Sequence, residues 1–242
     1  MIGDKRVLAV ITARSGSKGL ADKNIRNFAG EPLLARPISV AKRCHWVDRT
    51  ILSTDSREYA AIGLKFGAEV PFLRSQDLAA DTASSIDVLI DVLDRLEQIG
   101  ESYEYLLLLE PTSPLTTEAV VTEAMDQLVQ TPKAESILGI KEVLTEHPDF
   151  CIELTQEKLM KPFVQEDFSQ PLRRQELSKL FCFSGSFYLS TTQSLREHRR
   201  FYHERALGYV MPAWQAHEID DLADFICAEA LYRKRELFSD EH

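Results

Sequence analysis

Strand-like runs alternate with segments of helical period through the first 140 residues, and that alternation confines the chain to few folds. Residues 7–11, 50–53, 69–72, 105–109 and 136–140 read as strands, and 33–44, 57–66, 86–99 and 118–129 as helices. In the third helix Ile86, Leu89, Ile90, Leu93 and Leu96 share one face. Ser84, with Asp87 three residues on, supplies its start signal. Strands separated by helices imply an α/β fold of βαβ units, with a mainly parallel sheet and helices on both faces. Ligands of such sheets bind at the carboxyl ends of the strands. From 142 to 179 the pattern breaks: Pro148, Pro162 and Pro171 punctuate short apolar pieces with no clear helix. This stretch reads as an excursion from the domain, a β arm for self-association. The alternation resumes at 183–189 and 207–211, and a helix over Leu222–Arg233 closes the chain.

A length of 242 residues suits one large α/β domain with 142–179 as an insertion. No apolar run approaches the ~20 residues of a membrane span. The five apolar residues at 7–11 are too few for a secretory core. Cys44, Cys151, Cys182 and Cys227 lie far apart with no C-x-x-C pair, which points to reduced thiols in a cytoplasmic protein. A net charge of −10 argues against a nucleic-acid binder but leaves room for a local cationic cleft.

Such a cluster sits at 11–24, I-T-A-R-S-G-S-K-G-L-A-D-K-N, directly after the first strand. Gly16 and Gly19 let backbone approach an anion, successive amides can form a nest, and Arg14, Lys18 and Lys23, with Arg26 just beyond, offset negative charge. A triphosphate fits this better than a single carboxylate; the competing reading is a solvated basic turn. The spacing is neither G-x-x-x-x-G-K-[ST] nor G-x-G-x-x-G, so neither a P-loop ATPase nor a dinucleotide-binding protein follows.

Three further segments carry candidate chemistry. In L-L-L-L-E-P-T-S-P-L, Pro111 stops the strand ladder and leaves Glu110, Thr112 and Ser113 at the ligand edge of the sheet. A plain strand-to-helix turn is the alternative for Thr112 and Ser113. In H-E-I-D-D, Glu218 and Asp220 share a face if extended and suit Mg²⁺, although the same acids also read as a helix N-cap. Arg173 and Arg174, followed by Gln175, either grip a carboxylate or form a solvated basic patch.

With these segments in order, the chain resembles the CMP-sialic acid synthetase (acylneuraminate cytidylyltransferase) family over nearly its whole length. Residues 13–24 resemble that family's loop A-R-S/G-G-S-K-x-x-x-x-K-N, and Arg74 with L-A-A-D-T-A-S-S-I at 78–86 resembles its second signature. P-T-S-P-L at 111–115 matches, and Glu218-Ile219-Asp220 stands where the family has Asp-Ile-Asp. The resemblance implies a Rossmann-like three-layer nucleotidyltransferase fold. It implies that Arg14, Ser17, Lys18 and Lys23 hold the phosphates of CTP, with Arg14, Lys18 and Lys23 serving catalysis. Asn24, Arg74 and Ser85 would meet ribose or cytosine, Glu218 and Asp220 would bind Mg²⁺ or Mn²⁺, and Arg174 would meet the carboxylate of an acidic keto-deoxy sugar. The 142–179 arm would build a homodimer, with a tetramer as the larger alternative.

The departures fall on the sugar side. Sialic acid members show Gln before P-T-S-P-L and Arg after it, where this chain has Glu110 and Thr116. Where they show R-P-N-G-A-I-Y, residues 182–188 read C-F-S-G-S-F-Y. These differences imply CTP chemistry on a related but different nonulosonic acid, with Glu110 accepting from a donor on that sugar. The rival readings are a cytidylyltransferase for the eight-carbon 3-deoxy-octulosonate and a nucleotide-binding protein without turnover.

Overall fold

The first strand, β1 (Val7–Thr12), sends alternate side chains to opposite faces, and each face becomes a core. Val7, Ala9 and Ile11 enter one buried cluster, Leu8 and Val10 the other. The computed structural model describes residues 2–16, 19–80, 83–144, 146–164, 167 and 173–238. After β1 come the short pair β2 (Asn27–Phe28) and β3 (Glu31–Pro32), then α1 (Ala35–Arg43), β4 (Arg49–Ser53), α2 (Arg57–Lys65), α3 (Gln76–Ala79) and α4 (Ser85–Gln98). Next are β5 (Tyr105–Leu109), α5 (Glu118–Gln130), β6 (Ser136–Glu142), β7 (Ile152–Leu154) and β8 (Met160–Pro162). The chain ends with β9 (Phe181–Thr191), α6 (Thr192–His198), β10 (Ala206–Val210) and α7 (Leu222–Arg233).

Six strands form one sheet in the order β10-β6-β9-β5-β1-β4. Only β9 runs against its neighbours; the β1–β4, β1–β5 and β10–β6 pairs are parallel. Ile38 and Ala41 of α1 pack with Val121 and Ala124 of α5 on one face. Leu89, Val92, Leu93 and Leu96 of α4 pack with Leu195 of α6 on the other. The result is the expected three-layer α/β architecture with a mainly parallel sheet. No helix among the described residues is long and apolar enough to cross a membrane.

Ser84 caps α4 as its spacing implies, accepting from the Asp87 amide, an arrangement worth about 1 kcal/mol. The strand expected at 69–72 does not form. Leu52 N–H donates to Glu69 O and Glu69 N–H to Thr50 O, giving one isolated bridge, and Pro71 has no amide to continue it. Within 142–179, β7 and β8 pair as an antiparallel hairpin outside the main sheet. Leu154, Leu159, Met160 and Phe163 on and beside this hairpin are each more than 60% exposed, so it has no core of its own.

Register brings the strand ends together: Ile11 lies opposite Leu109, and Thr12 opposite Ser53. The loop after β1, the turn after β5 and residues 54–55 after β4 therefore share one rim.

Candidate active site

A cavity of about 320 Å³ opens at this rim. Thr12, Arg14, Gly19, Lys23 and Asn24 line it from the β1 side, Arg74 and Leu78 from beyond β4, Ser85 and Val88 from α4, and Glu110 and Thr112 from the end of β5.

Side chains from neighbouring strand ends hold the basic loop. The Ser15 amide donates to Asp55 Oδ1 at 2.8 Å and the Ser15 hydroxyl to Oδ2 at 2.6 Å. Burial pushes the Asp55 carboxyl up, but the Ser15 bonds and the charge of Arg74 outweigh it and hold the group below the usual carboxylate range. The buried Asn24 amide donates to the Arg14 carbonyl at 3.1 Å, closing the loop on itself. Arg74 is buried, with Nη2 donating to Ser53 O at 2.7 Å and Nε to Ser53 Oγ at 3.2 Å. Burial lowers its pKa, with Asp55 opposing, yet a guanidinium keeps its charge across any ordinary pH range.

Three separate segments meet at Ile219. Its N–H donates to Thr112 O at 2.8 Å, and its carbonyl accepts from Lys23 Nζ at 2.7 Å. A Cβ at position 19 would stand 2.7 Å from the Asp220 carbonyl oxygen, so this close approach requires Gly19. The helix cap at α7 is made by Asp221 in a reciprocal box with Asp224, leaving the exposed Asp220 carboxylate outside the cap.

The acidic side of the site is built on Glu110 and Glu218. Burial, with the charge of Glu218 added and Lys23 opposing, pushes Glu110 up to about 7. Burial and the charge of Asp220 raise Glu218, while Lys141 and Lys23 oppose. The Glu218 carboxylate lies against Gly185, where a Cβ would sit 2.7 Å from Oε1 and where φ is +64°. Burial, with the charges of the same two glutamates added, pushes the Tyr188 phenol up to about 12. Glu218 and Asp220 supply adjacent oxygen donors, the type a hard divalent cation takes.

The structure gathers Arg14, Lys23, Asn24, Arg74, Ser85, Glu110 and Thr112 around one cavity, with Glu218 and Asp220 joined to it through Ile219. Ser17 and Lys18 lie outside the described residues. Ser113 departs from its expected ligand-facing position: it is buried and its hydroxyl donates to Gly185 O at 3.0 Å, tying the turn to β9. Gln175 is exposed on the single turn Arg174–Glu176 and does not line the cavity. The side chain of Arg174 lies outside the described residues. Sequence reasoning assigned no role to Asp55 or Gly185. The signal for Asp55 was its place just past the end of a strand; nothing local marked Gly185, whose constraint comes from a residue 33 positions away.

A family model described as Cytidylyltransferase matches residues 8–237. The chain belongs to the cytidylyltransferase family. The CMP-N,N'-diacetyllegionaminic acid synthase of Legionella pneumophila is 34% identical over 200 residues, covering 82% of this chain and 84% of that protein. The pseudaminic acid cytidylyltransferase of Campylobacter jejuni is 28% identical over 227 residues, 93% of this chain and 96% of that one. The N-acylneuraminate cytidylyltransferase of Escherichia coli is 29% identical over 230 residues, and the chain spans about half, 53%, of its length. Among solved structures, CMP:2-keto-3-deoxy-manno-octonic acid synthetase complexed with CTP superposes with a TM-score of 0.68 over 95% of this chain and 99% of that one. At 15% identity that likeness shows the fold alone. This cytidylyltransferase is thus a nucleotidyltransferase of the acylneuraminate cytidylyltransferase type.

Proposed function

We propose that this cytidylyltransferase transfers CMP from CTP to the anomeric hydroxyl of a nonulosonic acid related to, but different from, N-acetylneuraminate. The observation that carries this reading is the division of the cleft into a cationic side, Arg14 and Lys23, and an acidic side, Glu110 with Glu218 behind it.

The anomeric oxygen attacks the α-phosphorus of CTP, the bond from that phosphorus to the β-phosphate bridging oxygen breaks, and pyrophosphate leaves with its electron pair. The anomeric proton passes to solvent. Arg14 and Lys23, with Lys18 of the same sequence motif, offset charge on the transferring and leaving phosphates. Ser17 extends that grip, and Asn24, Arg74 and Ser85 orient the nucleoside. Removing one such electrostatic donor typically costs about 10²–10³ in rate. The pair Glu218 and Asp220 fits Mg²⁺ or Mn²⁺ by its oxygen donors and by the cradle at Gly185 that fixes the Glu218 carboxylate. A divalent ion held there supplies charge stabilisation to phosphate oxygens.

On the acceptor side, Glu110 and Thr112 receive polar groups of the sugar, and Arg174 of the arm meets its carboxylate. Glu110 takes hydrogen bonds from an amide N–H or hydroxyl that a glutamine would meet differently. The names of the legionaminic and pseudaminic acid relatives agree with a substrate of that class. The exposed apolar residues of the β7–β8 hairpin support self-association through the 142–179 arm as a homodimer.

Steady-state pyrophosphate release with CTP, Mg²⁺ and a panel of nine-carbon keto-deoxy sugar acids tests the reading. A diacetylated 5,7-diamino sugar acid with the highest kcat/KM is the expected result; N-acetylneuraminate as the best substrate overturns it. Release with the eight-carbon acid alone would identify an octulosonate enzyme, and CTP binding without release a non-catalytic protein.

A further inference from the structure

A second cationic cavity, of about 170 Å³, lies behind the 111–115 turn, away from the cleft. Arg36 of α1, Arg43, Arg235, Tyr232 and Thr117 are among the residues that line it. The Arg36 guanidinium lies 4.1 Å from the centre of the Tyr232 ring, and that of Arg235 lies 4.5 Å from the same ring. Among the described residues the Arg36 side chain makes no hydrogen bond or ion pair, and its Nε is buried without a partner. A half-buried guanidinium whose buried Nε has no hydrogen-bond partner is costly to keep.

The local charges sharpen this. Arg43 has a carboxylate neighbour, Glu118 at 3.8 Å, and Arg235 donates Nη1 to the Tyr232 carbonyl at 2.9 Å. Burial lowers the pKa of Arg36; Arg43 and Arg235 lower it further, while Tyr232 and Glu31 oppose. Thr117 precedes α5 and its side chain does not cap the helix, so the positive end of a 13-residue helix borders the same space.

We infer that Arg36, Arg43 and Arg235 form a binding site for a phosphate-bearing small molecule, separate from the cytidylyl-transfer cleft. Planar guanidinium forks match phosphate oxygens, and a dianion answers several cations at once where a carboxylate answers fewer. The larger cavity beside it, about 720 Å³, shares Thr117, Trp214 and Arg235 and contains the stacked rings of Trp214 and Phe238. That neighbour gives the rest of such a molecule a flat apolar wall.

Calorimetric titration of inorganic phosphate into the Lys23→Ala protein tests the site with one of the cleft's cations removed. One phosphate per chain should bind saturably, and adding Arg235→Gln or Arg36→Met should weaken it at least tenfold. Arg235 is exposed, so its substitution leaves the fold intact even if the Arg36 variant does not fold. Absence of saturable binding in the Lys23→Ala protein overturns the inference. So does an affinity that Arg235→Gln leaves unchanged, because residual binding in the cleft is indifferent to Arg235.

Discussion

The ammonium of Lys23 donates to the Ile219 carbonyl at 2.7 Å, and this bond ties the basic loop to the segment that carries Glu218 and Asp220. The basic loop proposed to offset phosphate charge and the carboxylates that suit a divalent ion are thereby held in one frame. Lys23→Ala should keep the fold and lower kcat about 10²–10³-fold, the usual cost of one lost electrostatic donor. Circular dichroism and steady-state pyrophosphate release check this; turnover near that of the unaltered protein would contradict the role.

Gly185→Ala tests the cradle of Glu218. The left-handed backbone at φ +64° costs an L-residue about 1–2 kcal/mol. The added methyl would also stand 2.7 Å from the Glu218 carboxylate and displace it. The variant should melt several degrees lower and need at least tenfold more Mg²⁺ for half-maximal rate. A lowered melting point with an unchanged Mg²⁺ requirement would separate Glu218 from the metal.

Glu110 gives a pH signature. Its carboxyl is raised from the ordinary value of 4.5 to about 7, so between those values the folded chain keeps a proton that the unfolded chain releases. Stability from this group therefore falls as pH rises through that window and stays low above it. Without divalent ions, Glu110→Gln should melt with the unaltered protein at pH 4 and about 3 °C or more above it at pH 8. An equal difference at both pH values would contradict the shift.

Sequence made the layers legible because each strand of the sheet carries its pattern locally. Alternation along β1 sorts Val7 and Leu8 to opposite cores, and the Ser84–Asp87 spacing marks the start of α4. The run at 69–72 misled because its apolar composition resembles a strand while Pro71 denies it a ladder. Arg14, Lys23 and Glu110 were legible as strand-end groups after β1 and β5. Ser113 was not: its burial follows from the Gly185 carbonyl, which only the folded sheet brings near. The Ser15–Asp55 lock joins two loops 40 residues apart and leaves no trace in either loop alone.

The arm offers a separate test. Leu154→Glu with Met160→Lys puts opposite charges on two exposed apolar positions of the β7–β8 hairpin and leaves the main core untouched. Sedimentation should show a dimer for the unaltered chain and a monomer with the same melting point for the double variant. A dimer in both would place self-association elsewhere.

Calorimetric titration of CTP with Mg²⁺ into the folded protein tests the central claim most directly. The account predicts one CTP per chain, bound at least tenfold more weakly by the Lys23→Ala protein. No detectable heat of association with well-folded protein, or equal binding by the Lys23→Ala variant, would contradict it.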